Sequence, residues 1–272
     1  MGQLGPTQKT QLLSILGDFN ETGLFAVDPK KVKAARGEPL RLRLKDPRCK
    51  PFAAGTRRYS PEQATAIQDE VQKLAERGVI EPLTSAWAAA CVTVRKKDGS
   101  SRLCQDYRGL NELLESHSGG LGDMQTMYSG LAGSKYFTSV DLASGFFQLD
   151  VAKEDRHLTA FRDARGHSWQ YQRCGFGLKV LPAAFHRTVS EALLPAQGVK
   201  NWLDDILWPS ATFVGHMTGL RVVLYCLLQA GLTVNFQKSQ WCTQQQDFVG
   251  MTIDASGIRP SQSKIEAIAQ LR

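Results

Sequence analysis

Two aspartates stand side by side in the middle of an apolar run, Asn201-Trp-Leu-Asp-Asp-Ile-Leu-Trp208. Burying carboxylates without partners is expensive, so such a segment must expose them at a turn, pair them, or give them a metal. In one reading Trp202-Leu203 and Ile206-Leu207 are strand ends, and the aspartates form a hairpin tip, where Asp is a common residue. In the other they belong to a metal site, which needs a third oxygen ligand from elsewhere in the chain.

The candidate for that third ligand is Asp141. It ends the strand-like run Tyr136-Phe-Thr-Ser-Val-Asp-Leu142, whose β-branched and aromatic residues suit a sheet. A strand end beside a hairpin tip brings Asp141 within reach of Asp204 and Asp205. Three carboxylates suit Mg²⁺, a hard ion that prefers oxygen, and two such ions can clamp an in-line phosphoryl displacement. Taken singly, Asp141 is an ordinary strand-end aspartate; only the set points to chemistry.

The 272 residues suffice for one large domain or two, and 42% hydrophobic with 22% charged residues is ordinary globular composition. Lys and Arg number 33 against 26 acids, and the resulting charge of +7 favours a polyanionic partner, nucleic acid before a membrane surface. Six scattered cysteines without a Cys-x-x-Cys pair exclude a disulfide framework and a zinc ribbon. The N-terminus lacks a secretory layout, and Pro6 stands where a myristoylation signal needs Ser or Thr. The most apolar segment, Leu220 to Leu232, is too short to span a bilayer and carries Arg221 and Gln229. The expectation is a soluble intracellular protein, cytoplasmic or in a virus-like particle, with the nucleus as an alternative.

Residues 1 to 55 read as a short amphipathic helix followed by a basic tract, either an extended arm or a solvated loop. Ser60-Pro61-Glu62 opens a helix that Gly78 ends, with Ala64, Ile67, Val71, Leu74 and Ala75 as its apolar stripe. Hairpins are expected over residues 90–107, turning at Lys96-Lys-Asp-Gly-Ser100, and over 158–172, turning at Ala164-Arg-Gly166. Helices follow from about Leu181 to Pro195 and from His216 to Gly231. Leu232-Thr-Val-Asn-Phe236 and Asp247 to Asp254 read as strands, and a last helix begins near Ser263. Mixed hairpins and helices indicate an α+β fold.

In this order and spacing the segments resemble the reverse transcriptase of gypsy-type LTR retrotransposons, relatives of the retroviral enzymes. The carrying segments are RRYSPE, VTVRKKDGSSRLCQDYRGLN, KYFTSVDLASGFFQLDVAKEDRHLTAF, GFGLKVLPAAF, WLDDIL, AGLTVNFQKS, DFVGM and GIRPSQSKIEAI. The resemblance implies a right-hand polymerase fold. Its fingers would cover roughly 56–113 and 149–182, its palm roughly 114–148 and 183–253, and the thumb or connection would begin at 254–272. It implies Asp141, Asp204 and Asp205 as catalytic carboxylates holding two Mg²⁺ ions, with Mn²⁺ as an alternative.

Further roles follow from the same resemblance. Lys96 and Arg102 match positions that grip the incoming triphosphate, against the bland reading of a charged turn. Leu142, Phe146, Phe176 and Gly177 match the nucleotide pocket. An aromatic ring at Phe146 leaves no room for a 2′-hydroxyl and so favours deoxynucleotides; its alternative is a core aromatic beside Phe147. Lys238 matches the lysine that assists pyrophosphate departure as a general acid, and would otherwise be a solvated strand end. Trp202 and Phe248, Val249, Gly250 and Met251 match the primer-contacting positions, the last four within Asp247 to Met251, which matches the hairpin that grips the primer terminus. Arg108 reads as structural, pairing with Asp106.

Implied partners are a primed RNA or DNA template, dNTPs, and the RNase H and integrase segments of a Pol polyprotein, with no membrane. Several positions depart from the family pattern. Trp202 replaces a tyrosine, Gly119-Gly-Leu-Gly122 stands where Tyr-Pro-Leu-Pro is usual, Cys174-Gly175 replaces an apolar-Pro pair, and Val180 replaces Asn. The chain also stops at Arg272, where a thumb would begin, which predicts weak primer-template grip and low processivity. The alternative function is therefore a decayed or co-opted nucleic-acid-binding relic without activity.

Overall fold

The computed structural model describes residues 4–26, 32–55, 57–95, 101–116 and 124–270. In chain order the elements are helices α1 (Pro6–Asn20) and α2 (Pro61–Glu76), strands β1 (Ile80–Pro82), β2 (Ala89–Arg95) and β3 (Ser101–Gln105), then helices α3 (Arg108–Leu113) and α4 (Met124–Tyr128). Strand β4 (Tyr136–Asp141), two 3₁₀ turns, β5 (Phe161–Arg162), β6 (Ser168–Tyr171) and helix α5 (Leu181–Ala192) follow. The chain continues with β7 (Lys200–Trp202), β8 (Asp205–Ser210), α6 (Phe213–Gln229), β9 (Gln240–Thr243), β10 (Gln245–Phe248), β11 (Met251–Asp254), β12 (Gly257–Pro260) and α7 (Gln262–Ala269). Two compact units share these elements. The first comprises residues 1–36, 120–144 and 185–272; the second comprises 37–119 and 145–184.

The first unit is built on a four-stranded sheet, β7-β8-β4-β9, with a three-stranded meander, β10-β11-β12. Its central pair runs antiparallel from Tyr136↔Ser210 to Asp141↔Asp205. Phe137 and Leu207 are fully buried from this pair and join Leu131, Phe248 and Ile253 in one apolar cluster. Helix α6 is capped by Thr212, whose Oγ1 accepts Gly215 N–H at 3.2 Å, and Gly219 leaves space for the Trp208 ring. Helix α1 buries Leu12, Ile15, Leu16 and Phe19, the i, i+3, i+4, i+7 face of an amphipathic helix.

A buried polar chain runs through this core. Ser210 Oγ donates to the Thr212 carbonyl, so it accepts His216 Nδ1–H at 2.8 Å. His216 Nε2 then accepts from Thr138 Oγ1 at 2.8 Å, and that oxygen accepts Cys242 N–H at 3.0 Å. Every member is satisfied, which is what makes such a network tolerable in a core. Burial pushes the His216 imidazole down to about 4.

The second unit holds a five-stranded sheet, β1-β6-β5-β2-β3, antiparallel except for the β2–β5 pair. Helix α2 forms as its sequence predicts. Ser60 Oγ accepts Gln63 N–H, Gln63 Oε1 accepts Ser60 N–H, and Pro61 occupies the first turn. It buries Ile67, Val71 and Leu74, and Gly78 at φ 62° stops it, with Gly78 N–H and Val79 N–H bonded to Ala75 and Leu74 carbonyls. Both expected hairpins are present, β2–β3 and β5–β6, although the 96–100 turn lies outside the described residues. Arg108 forms the expected fork with Asp106, at 2.8 and 2.7 Å.

Three expectations change. The N-terminal arm over 1–55 does not stand apart: residues up to 36 cluster with the first unit and 37–55 with the second, where Leu40, Leu44 and Ala53 bridge to Val151, Leu114 and Ala88. Leu232–Phe236 is not a strand, because Asn235 N–H bonds back to Asp141 O and the chain turns there, leaving single bridges at Val234. Asp247–Asp254 is not one continuous strand but the β10–β11 hairpin that the resemblance implies at Asp247 to Met251, since Val249 and Gly250 both take positive φ, 47° and 76°, and let Phe248 pair with Met251. Among the described residues, no helix is long and apolar enough to cross a membrane.

Candidate active site

The aspartate pair does sit at a turn. Trp202 pairs with Asp205, leaving Leu203 and Asp204 as a two-residue loop between β7 and β8. Leu203 takes φ 56°, a left-handed conformation that costs a leucine about 1–2 kcal/mol. Asp204 and Asp205 are exposed, and Asp141, half-buried, lies directly opposite Asp205 across the sheet. The hairpin and the third carboxylate therefore coexist: the tip of one hairpin faces the end of a neighbouring strand.

The charges oppose one another. Asp141 is held above the usual carboxylate range by burial, with Lys238 pulling it down and Asp204 pushing it up. Asp205 is also raised, by desolvation first and then by Asp204 and Asp141. Like charges directly opposite in a sheet are unfavourable, so a bound cation would relieve the site. Oxygen donors alone suit a hard ion in kind. Among the described residues, however, no group of three or more His, Cys, Asp or Glu side chains converges closely enough to hold a metal ion.

Lys238 is brought to this site by a turn locked onto Asp141. Asp141 N–H donates to Ser239 Oγ at 3.0 Å, Asn235 N–H donates to Asp141 O at 2.8 Å, and Ser239 Oγ donates to Asn235 O at 2.7 Å. Lys238 itself is exposed, and its charge lowers the Asp141 carboxyl. Leu142 is buried and bridges to Val234, so its side chain faces the core. The sequence places Asn235 in a strand and marks Ser239 only as the residue after Lys238, so neither announces its bond to Asp141.

The five primer-contact candidates lie together in the first unit. Trp202 and Val249 pack against the apolar cluster that contains Phe248, and the Tyr128 hydroxyl donates to Val249 O at 2.9 Å. Gly250 O accepts Ser261 N–H at 3.1 Å, so the turn is held from both sides. The nucleotide-pocket candidates Phe146 and Phe176 meet in the second unit, ring centroids 5.5 Å apart, with Phe147 5.6 Å from Phe176. Gly177, at φ 100°, approaches Gln105 O so closely that a Cβ would lie 2.9 Å away. Its need for glycine is thus met within the protein. Asn111 braces this loop, donating to Gly177 O at 2.8 Å and accepting Lys179 N–H at 2.9 Å.

Arg102 lies on β3 opposite Val94, while Lys96 and Gly119–Gly122 fall outside the described residues. The Cys174-Gly175 departure has a packing reason: a Cβ on Gly175 would meet the Tyr171 ring at 2.7 Å, and Cys174 is fully buried.

Residues 94–253 match the family model of "Reverse transcriptase (RNA-dependent DNA polymerase)", more than half of the chain. The chain belongs to the reverse transcriptase family. The Pol polyprotein of transposon opus from Drosophila melanogaster is 29% identical over 96% of this chain and 26% of its own length. The Tf2-3 transposon polyprotein of Schizosaccharomyces pombe is 30% identical over 77% of this chain and 16% of its own. The chain thus spans about a quarter or less of these curated relatives. A foamy viral protease-reverse transcriptase solved with an RNA/DNA hybrid superposes with a TM-score of 0.88, at 23% identity, over 99% of this chain and 36% of that one. The fold is the α+β right-hand polymerase fold that the motifs imply.

Proposed function

We propose that this chain is the core of an RNA-directed DNA polymerase that extends a primer 3′-hydroxyl with deoxynucleotides on an RNA or DNA template. It would act in retrotransposon replication, within a Pol polyprotein that also supplies RNase H and integrase, in the cytoplasm or a virus-like particle. The observation that carries this reading is the pairing of Asp141 with Asp205 beside the Leu203-Asp204 turn, with the charge of Lys238, on the turn bonded to Asp141, acting on the Asp141 carboxyl.

Asp141, Asp204 and Asp205 would hold two Mg²⁺ ions, or Mn²⁺, which when bound lower the pKa of the attacking hydroxyl and neutralise the phosphates. Both turn aspartates have solvent access, which such ions need to reach them. Lys238 donates a proton to the departing pyrophosphate, and Lys96 and Arg102 balance the triphosphate charge. Phe146 and Phe176 select the deoxy sugar, with Gly177 beside them; Leu142 is a further nucleotide-contacting residue. Trp202 and Phe248–Met251 seat the primer end. The first unit takes the palm's role and the second the fingers'.

A second reading, a binding relic without catalysis, is favoured by the lack of a converged ligand set among the described residues. Primer extension on an RNA template with dNTPs and Mg²⁺ separates the two. Extension that falls strongly with ribonucleotides supports the polymerase and the Phe146 gate. Salt-sensitive primer-template binding without any extension supports the relic.

A further inference from the structure

The two-residue loop that presents Asp204 leaves the Leu203 N–H without a place in the hairpin ladder. Trp202 and Asp205 close the β7–β8 pair, so Leu203 N–H has no cross-strand acceptor. It is also the residue at φ 56°, whose strained backbone needs support from outside the hairpin. That support comes from α5. His186 Nδ1 accepts Leu203 N–H at 3.3 Å, and Asn201 Nδ2 approaches the same nitrogen at 3.3 Å.

The Leu203 amide can only donate, so its contact fixes the state of the imidazole nitrogen it meets. Nδ1 must carry the lone pair, so His186 is the neutral Nε2–H tautomer. Its half-buried position supports this, since burial lowers its affinity for a proton. The partners are themselves anchored: Asn201 Nδ2 donates to Ser190 Oγ at 2.9 Å, one helical turn along α5, and the Trp202 ring lies against the imidazole, centroids 6.4 Å apart. Residues 201, 202 and 203 thus all meet one histidine, immediately before Asp204.

We infer that His186 is a positioning residue for the carboxylate turn: its Nδ1 lone pair holds the Leu203 amide, and through it the orientation of the peptide that carries Asp204. This rests on the polymerase reading and deepens it. The imidazole touches no reacting atom. Its loss should therefore lower kcat and weaken Mg²⁺ saturation while leaving the KM for primer-template unchanged.

The test uses two substitutions with opposite chemistry. His186→Asn places a carbonyl oxygen near the Nδ1 position, and His186→Leu fills similar volume without an acceptor. Single-nucleotide incorporation should fall at least about tenfold in kcat for His186→Leu, a loss of about 1.4 kcal/mol, with unchanged KM for primer-template and a raised Mg²⁺ half-saturation. His186→Asn should stay within about threefold of the unsubstituted chain. A His186→Leu chain with undiminished kcat, or a His186→Asn chain that falls as far as His186→Leu, overturns the assignment. Imidazole ¹⁵N NMR of the unsubstituted chain reads the tautomer independently of activity. An unprotonated Nδ1 supports the inference even if no extension occurs and the polymerase reading fails, and a protonated Nδ1 overturns it.

Discussion

Both units place glycines at left-handed positions, but they differ in where other residues take such backbone. Among the described residues, the four non-glycine positions with positive φ are Ser144, Leu203, Cys242 and Val249, at 53°, 56°, 49° and 47°, and all lie in the first unit. Among its described residues the second unit places only glycines there: Gly37, Gly78, Gly166 and Gly177. A left-handed L-residue costs about 1–2 kcal/mol and persists only where its surroundings over-determine it. Leu203 adjoins Asp204, Ser144 follows Asp141 by three residues, and Val249 sits in the proposed primer hairpin. Strain collects where the carboxylates are, while the other unit is assembled with ordinary turn chemistry.

If the first unit's core is what holds that strain, weakening it should cost most. Phe137 is fully buried at the centre of its apolar cluster, and Phe137→Ala should destabilise the chain by about 3–5 kcal/mol in a urea titration. A loss near 1 kcal/mol would mean the core does not hold that strain.

Acid should act on the same unit. His216 ionises near 4 in the folded chain and near 6.5 when unfolded. The unfolded chain takes up this proton first, so the stability held by the neutral ring is full above about pH 6.5. It is lost as pH falls toward 4, by roughly 3 kcal/mol. Comparing denaturation midpoints across that window with those of His216→Leu checks it, because the substituted chain should lack this part of the pH dependence.

The second unit's glycine offers the matching probe. Gly177→Ala forces a Cβ against Gln105 O at φ 100° and should cost roughly 2 kcal/mol. A neutral result would show that this loop shifts freely and would blur the contrast. The smallest effect belongs to Val249→Asn. Asn tolerates the turn's left-handed first position, so stability should change by under about 1 kcal/mol, on the gain side, despite lost apolar contact. A clear loss in a thermal melt would show that Val249 is packed rather than strained.

What the sequence made legible was local. Ser60, Pro61, Gln63 and Gly78 announce α2 because caps and stops act within a few residues. The turn at Ala164-Arg-Gly166 is equally plain. The aspartate pair was readable as a turn, and its pairing with Asp141 as the proposed site. Leu232–Phe236 misled because β-propensity favours a strand, while a tertiary bond from Asn235 to Asp141 bends the chain. The β10–β11 hairpin was legible only through the family resemblance of Asp247 to Met251, because Val-Gly is not an ordinary turn dipeptide. His186 was invisible for a different reason: on α5 it reads as a helical histidine, and only the folded chain brings it to Leu203.

The most direct test of the carboxylate site is single-nucleotide incorporation on a primed RNA template, comparing the chain with Asp204→Asn. The prediction is Mg²⁺-dependent incorporation that Asp204→Asn reduces by on the order of a thousandfold, about 4 kcal/mol of barrier, with primer-template binding unchanged. Incorporation by Asp204→Asn at the unsubstituted rate would contradict it and remove the aspartate turn from the chemistry.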